Sequence, residues 1–225
     1  MSVMTQPRIL IPLFAVLSAI YVSIRYWQPF DFDWLVKVLP LSLLVIFWLN
    51  SQKSTRPKVL LTALLFSLAG DVLLSQKGLF LVGLGSFLIA QICYAALFFQ
   101  QMTWQTKRIP LLLGLLVYLT VVASIVVPHT GDLAVAIVAY MCAISTMVAL
   151  AYLRQAEHWK WVAVGASFFI LSDSLIAINK FTDALAGYEA LTGAMIMATY
   201  YAAQGLIVMG YLFQNRESES MVYTS

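Results

Sequence analysis

A chain of 225 residues and 25.0 kDa is long enough for one or two soluble domains, but 62% of it is hydrophobic, only 10% is charged, and its mean hydropathy is +0.88. Its 13 basic and 10 acidic residues cannot clothe a water-soluble globule, since soluble domains carry about 25% charged residues. Disorder is excluded by the same apolarity, and a net charge of +3 is too small to point to a nucleic-acid partner.

Lipid is the solvent this composition implies, and the predicted elements are membrane-spanning helices. Spans of about 17–25 apolar residues are expected near 9–24, 34–49, 59–74, 79–99, 110–127, 133–153, 159–178 and 190–213, eight in all. The runs are long and continuous, which suits helices rather than the short alternating strands of a barrel. The connectors are too short for a soluble domain, so residues 1–225 read as one integral membrane domain ending in a flexible cytoplasmic tail, 214–225. The first run is too long for a signal-peptide core and no small-x-small site follows it, so it reads as a retained span. Cys93 and Cys142 fall within spans and imply no disulfide framework.

Basic residues orient the bundle. Arg8, Lys53, Arg56, Lys58, Lys107, Arg108, Arg154, Lys160 and Arg216 fall on the side of the N-terminus; Arg25, Lys77 and Lys180 fall on the other, with Lys37 just inside span two. That imbalance predicts cytoplasmic termini, and Trp and Tyr residues flank the span ends as an interfacial belt. A bacterial inner membrane is the expected location.

Two stretches about a hundred residues apart are alike. Phe66–Leu74 of span three aligns with Phe168–Ile176 of span seven, and 87–91 of span four with 200–204 of span eight. Order and spacing are kept, so the expected fold is an all-α polytopic bundle with a parallel 4+4 repeat around a central cavity. The repeat places Asp71 and Asp173 at matching positions. A charge at mid-membrane costs about 2.5–3.5 kcal/mol, so intramembrane acids point to function unless a packing partner explains them.

At 1.5 Å rise per residue, Asp71, Asp173, Lys37 and Tyr140 lie roughly 5–10 Å below the outer ends of their spans. Tyr200, Tyr201, Gln91 and Gln204 lie roughly 15–20 Å down. The pattern describes a funnel opening outward. Lys37 either serves the site or snorkels to the interface. Tyr200 and Tyr201 cannot both face one cavity, so one packs. Gln91 and Gln204 either contact substrate or act as interhelical glue, to each other or to backbone. Ser67 and Ser75 flank Asp71 at i−4 and i+4, to bond it or to face the bundle. His129 and His158 lie in loops on opposite faces, so no zinc site is expected, and no nucleotide-binding or hydrolase-elbow motif occurs. No cofactor is expected; the chemistry must use carboxylates, Tyr, Lys, amides and water.

Residues 68–74 with Gly70-Asp71, 165–181 with Ser172-Asp173-Ser174 and Asn179-Lys180-Phe181, and 199–207 with Tyr200-Tyr201 and Gln204 resemble motifs of the YhhN-like lysoplasmalogenase family of multispanning membrane proteins. Lys37 with Pro40, and Tyr140, sit where the family pattern has them. The resemblance runs from span two to span eight. Gln91 is a departure: the family pattern carries a histidine there, three residues before the tyrosine that is Tyr94 here.

The resemblance implies hydrolysis of the vinyl ether bond of a lysoplasmalogen to a fatty aldehyde and a glycerophospho-base. Its partners would be the lysophospholipid and membrane lipids. Vinyl ethers are cleaved by protonation at the β-carbon, which leaves an oxocarbenium ion for water to capture. Two carboxyl groups suit that chemistry, one as general acid and one as anion, with a division of labour like that of glycosidases. Asp71 and Asp173 are the expected pair, in either order. Lys37, Tyr140, Asn179, Lys180, Tyr200, Tyr201, Gln204 and Gln91 are the expected substrate-binding residues, with Lys37 or Lys180 at the mouth to hold the phosphate. The main rival is a proton-coupled transporter of a small lipid or metabolite, against which the apolar cytoplasmic half counts. A scaffold would leave the two acids unexplained.

Overall fold

The structure, a computed structural model, describes residues 7–27, 30–51 and 57–222, with side chains described for 9–27, 30–51 and 57–211. Lys53 and Arg56, and the side chains of Arg8, Arg216, Glu217 and Glu219, lie outside the described residues. All regular elements among the described residues are helices: α1 (Pro7–Trp27), α2 (Trp34–Lys37), α3 (Leu39–Asn50), α4 (Lys58–Leu74), α5 (Phe80–Phe99), α6 (Ile109–Val126), α7 (Ala134–Leu153), α8 (Trp159–Phe181) and α9 (Glu189–Val222). The expected eight runs are there, with span two broken into α2 and α3. The backbone of α9 continues to Val222, past the expected end of span eight and through most of the expected tail.

Six of these runs are long and apolar enough to cross a membrane; Trp34–Asn50 and Lys58–Leu74, at 17 residues each, are shorter. Several hydroxyls within the runs bond to their own helix. Thr62, Thr120, Thr146 and Thr199 each donate to the carbonyl four residues back, as polar groups in an apolar solvent must find partners on their own helix.

The break in span two has a local cause. Pro40 has no N–H to give the Val36 carbonyl, and its ring crowds that turn. The chain resumes as α3 with Pro40 in its first turn, where the missing donor costs nothing.

Small residues let neighbouring helices approach closely. A Cβ on Gly70 of α4 would come 2.6 Å from the Phe87 ring of α5, and one on Gly165 of α8 would come 2.9 Å from the Ala203 carbonyl oxygen of α9. The core runs through α1, α3, α4, α5, α7, α8 and α9, while α6 lies at the periphery with Leu113, Leu116, Val117 and Val121 exposed. Exposed leucines and valines suit a lipid-facing helix.

At the end of the bundle where α5 meets α7 and α8, two of the expected loop charges are buried. Arg108 donates to the carbonyls of Tyr152 (2.5 Å) and Arg154 (2.6 Å) and stacks 3.7 Å over Trp159. Arg154 donates to Gln101 Oε1 (2.7 Å) and lies 4.4 Å over the Tyr211 ring. The Arg108 guanidinium thus satisfies carbonyls at the C-terminal end of α7, which α7 cannot bond itself.

Candidate active site

The break at Pro40 prepares one half of the site. Lys37, the last residue of α2, turns inward and is buried rather than reaching the interface. Its Nζ lies 3.4 Å from Asp71 Oδ1 and donates to the Asp71 carbonyl (3.1 Å) and to Ser75 Oγ (3.4 Å). The hydroxyl of Ser75 donates to the same carbonyl at 2.8 Å. Tyr200 of α9 donates to Asp71 Oδ2 at 2.7 Å, so both carboxylate oxygens of Asp71 are engaged. Tyr201 donates to the Lys37 carbonyl at 2.7 Å and packs against Phe14 and Tyr21. Both tyrosines are buried, but only Tyr200 touches a carboxylate.

The second half forms around Asp173 of α8. Tyr140 of α7 donates to its Oδ2 at 2.5 Å, and Gln91 of α5 donates to the same oxygen at 2.9 Å. Among the described residues no cation lies within ion-pair distance of this carboxyl group, and Oδ1 has no hydrogen-bond partner given by protein donors. Gln91 is fully buried and its Oε1 has no donor among the described residues. Gln91, expected from the sequence to stand where the resembled family has a histidine, therefore contacts an aspartate directly.

Gln91 and Gln204 do not bond each other. Gln204 accepts from Tyr94 (2.6 Å) and donates to Ser67 (3.1 Å), one turn before Asp71. Between the halves sit Phe87, Phe169 and Tyr200, packed edge-on with ring centroids 5.8–6.3 Å apart.

Asp173 opens into an apolar cavity walled among others by Phe87, Leu119, Ile137, Ile144 and Phe181. Beside it, at the end of the bundle opposite Arg108, lies a polar vestibule. The vestibule is lined by Tyr21, Arg25, Asp33, Lys37, Lys77, Asn179 and Lys180. Leu74, Phe80 and Ile176 belong to both walls and form the threshold between the two spaces. Asn179 and Lys180 are thus at the vestibule and not on a carboxylate; Lys180 Nζ lies 5.2 Å over the Phe80 ring. Arg25 and Lys77 read in the sequence only as orienting charges. The signal that could have found them is that both fall at span ends on the same side as Lys180.

The YhhN family model matches residues 32–211 of the chain. A protein of Mycobacterium bovis named lysoplasmalogenase is 34% identical over 162 residues, covering 68% of this chain and 60% of the relative. Two human proteins, named lysoplasmalogenase TMEM86A and lysoplasmalogenase TMEM86B, are each 31% identical, covering 78% and 83% of this chain and 76% and 80% of their own lengths. The chain thus matches less than two thirds of the mycobacterial relative. No solved structure matches it.

Proposed function

We propose that this chain, which belongs to the YhhN family, hydrolyses the vinyl ether bond of lysoplasmalogens, as the names of its relatives state for those proteins. The observation that carries the proposal is the Asp173 carboxyl group, which opens into a mainly apolar cavity with hydrogen-bond donors on it and, among the described residues, no cation within ion-pair distance. Tyr140 and Gln91 converge on Oδ2, the arrangement a neutral carboxylic acid needs if its proton is on Oδ1. Asp71, with the Lys37 ammonium and the Tyr200 hydroxyl on its oxygens, is the anionic member of the pair on this reading.

On this reading Asp173 is the general acid. Its Oδ1 proton passes to the β-carbon of the vinyl ether, the C=C π pair forming the new C–H bond, and the α-carbon becomes an oxocarbenium centre. The Asp173 carboxylate, with Asp71 behind it, stabilises the cation. Water adds to the α-carbon and returns a proton to Asp173, with the buried Gln91 Oε1 as acceptor for its other hydrogen. The hemiacetal collapses to a fatty aldehyde and the glycerol hydroxyl. No metal or cofactor enters the scheme.

The finer features of the fold belong to the same proposal. A parallel 4+4 repeat is supported by a crosswise exchange of amides: Gln91 of span four reaches Asp173 of span seven, and Gln204 of span eight reaches Ser67 of span three. The two carboxyl groups would face a central site from opposite halves. Cytoplasmic termini in a bacterial inner membrane are supported by the distribution of basic residues. The vestibule then faces outward.

The test is aldehyde release from a synthetic lysoplasmalogen by purified protein in detergent. Release is expected from the unmodified protein and lost in Asp173→Asn. Near-normal turnover by a folded Asp173→Asn variant would falsify the assignment.

A further inference from the structure

The vestibule holds more positive charge than the protein itself neutralises. Arg25, Lys37, Lys77 and Lys180 line it, against the single carboxylate of Asp33. Lys37 is paired with Asp71, whereas among the described residues no carboxylate lies within ion-pair distance of Arg25, Lys77 or Lys180. These three come from three places in the chain: the last turn of α1, the α4–α5 turn and the last turn of α8. Unpaired like charges gathered on one concave surface repel one another and focus a field that attracts anions. Gly193 leaves room for the Arg25 side chain, since a Cβ there would meet its Nε at 2.9 Å.

We propose that the vestibule is a phosphodiester subsite for a zwitterionic lysophospholipid head group. Arg25 supplies a planar fork for two phosphate oxygens, and Lys77 and Lys180 supply point charges. Asp33, held by the Tyr21 hydroxyl at 3.4 Å, faces the ammonium of the head group. The single hydrocarbon chain crosses the threshold at Phe80 into the apolar cavity. Only a three-carbon glycerol separates phosphate from vinyl ether, so a head group in the vestibule leaves the reactive bond near the threshold, on the way to Asp173. The assignment rests on the lysophospholipid reading of the site and names the part of the chain that recognises the head.

The experiment compares kcat/KM for an ethanolamine lysoplasmalogen with that for the 1-alkenylglycerol of the same chain, which has no phosphate. Arg25→Gln and Lys77→Gln are each expected to lower the ratio about tenfold, the worth of one charge-assisted hydrogen bond. Gly193→Ala, which displaces the guanidinium, should act like Arg25→Gln, whereas Lys107→Gln at the opposite end should leave the ratio unchanged. Equal losses on both substrates, or no change in the ratio, overturn the subsite. Competition by glycerophosphoethanolamine but not by inorganic phosphate supports a head-group site; equal competition by inorganic phosphate overturns it in favour of a free-anion site. If the unmodified protein cleaves no vinyl ether, calorimetric binding of an uncleavable alkyl-ether lysophospholipid reads the subsite alone. Weakening by Arg25→Gln then supports it, and the absence of binding overturns it.

Discussion

Lys37 and Asp71 form a buried ion pair, 3.4 Å from Nζ to Oδ1, between two helices that are each too short to be among the six clear membrane spans. The pair joins the broken segment of span two to α4, and Tyr200 and Tyr201 bond to its two members from α9.

Removing one member of such a pair leaves the other charged and unsolvated. Lys37→Met is expected to lower unfolding stability in detergent by about 3–5 kcal/mol, and Lys37→Met with Asp71→Asn to recover part of the loss. Denaturant titration of the three proteins checks this. Equal stability of single and double variants would mean that the charges do not interact.

The two aspartates should differ in what their loss does. In Asp173→Asn the amide oxygen still accepts from Tyr140 and Gln91, so the unfolding midpoint should hold while kcat falls by about 100-fold or more. Asp71→Asn strands the Lys37 ammonium and should reduce stability as well as kcat. Paired melting and turnover measurements distinguish these outcomes.

Gln91 offers a test by side-chain exchange. Gln91→Leu removes the 2.9 Å bond to Asp173 and should reduce kcat about tenfold with little change in KM. Gln91→His retains a ring N–H for the carboxyl group and should stay within a few-fold of the starting rate. A histidine variant as impaired as the leucine variant would show that the contact with Asp173 is not what matters at this position.

Much of the fold is legible in the sequence, and the part that is not has a common cause. Uncharged runs of about twenty residues permit little besides spanning helices, so the eight runs follow from length and apolarity alone. Asp71 and Asp173 stand out because a carboxyl group in such a run needs an explanation. Partner choice is hidden, because it depends on helix rotation. Lys37, at the break before Pro40, reaches Asp71, and Gln204 bonds Tyr94 of α5 and Ser67 of α4 while Gln91, on the same helix as Tyr94, turns to Asp173. Arg108 and Arg154 read as free loop charges, yet both are buried: span ends in this fold are themselves packed, and loop position in a sequence does not measure exposure.

Gly70 sets the spacing on which the site depends. Gly70→Ala would put a methyl 2.6 Å from the Phe87 ring, which packs on Tyr200 and walls the Asp173 cavity. A loss of about 1–3 kcal/mol in stability is expected, with reduced turnover per folded molecule. Unchanged melting and turnover would show that α4 and α5 separate freely.

Arg108 should be structural only. Arg108→Leu loses two hydrogen bonds from a charged donor and its stacking on Trp159, at an expected cost of about 2–4 kcal/mol. Turnover per folded molecule should not change, because Arg108 lies at the end of the bundle opposite the vestibule. A fall in kcat at full folding would refute this.

On the proposed reaction, the threshold formed by Leu74, Phe80 and Ile176 would also govern the fate of the products. Before hydrolysis, one molecule spans a wet compartment and a dry one, and each end restrains the other. Afterwards the glycerophospho-base has no hydrocarbon to hold it back from water, and the aldehyde has no charge to keep it from lipid. The two products leave into different phases. Recombination would require both to return together, so on this reading the partition adds to the one-way character that vinyl ether hydrolysis already has.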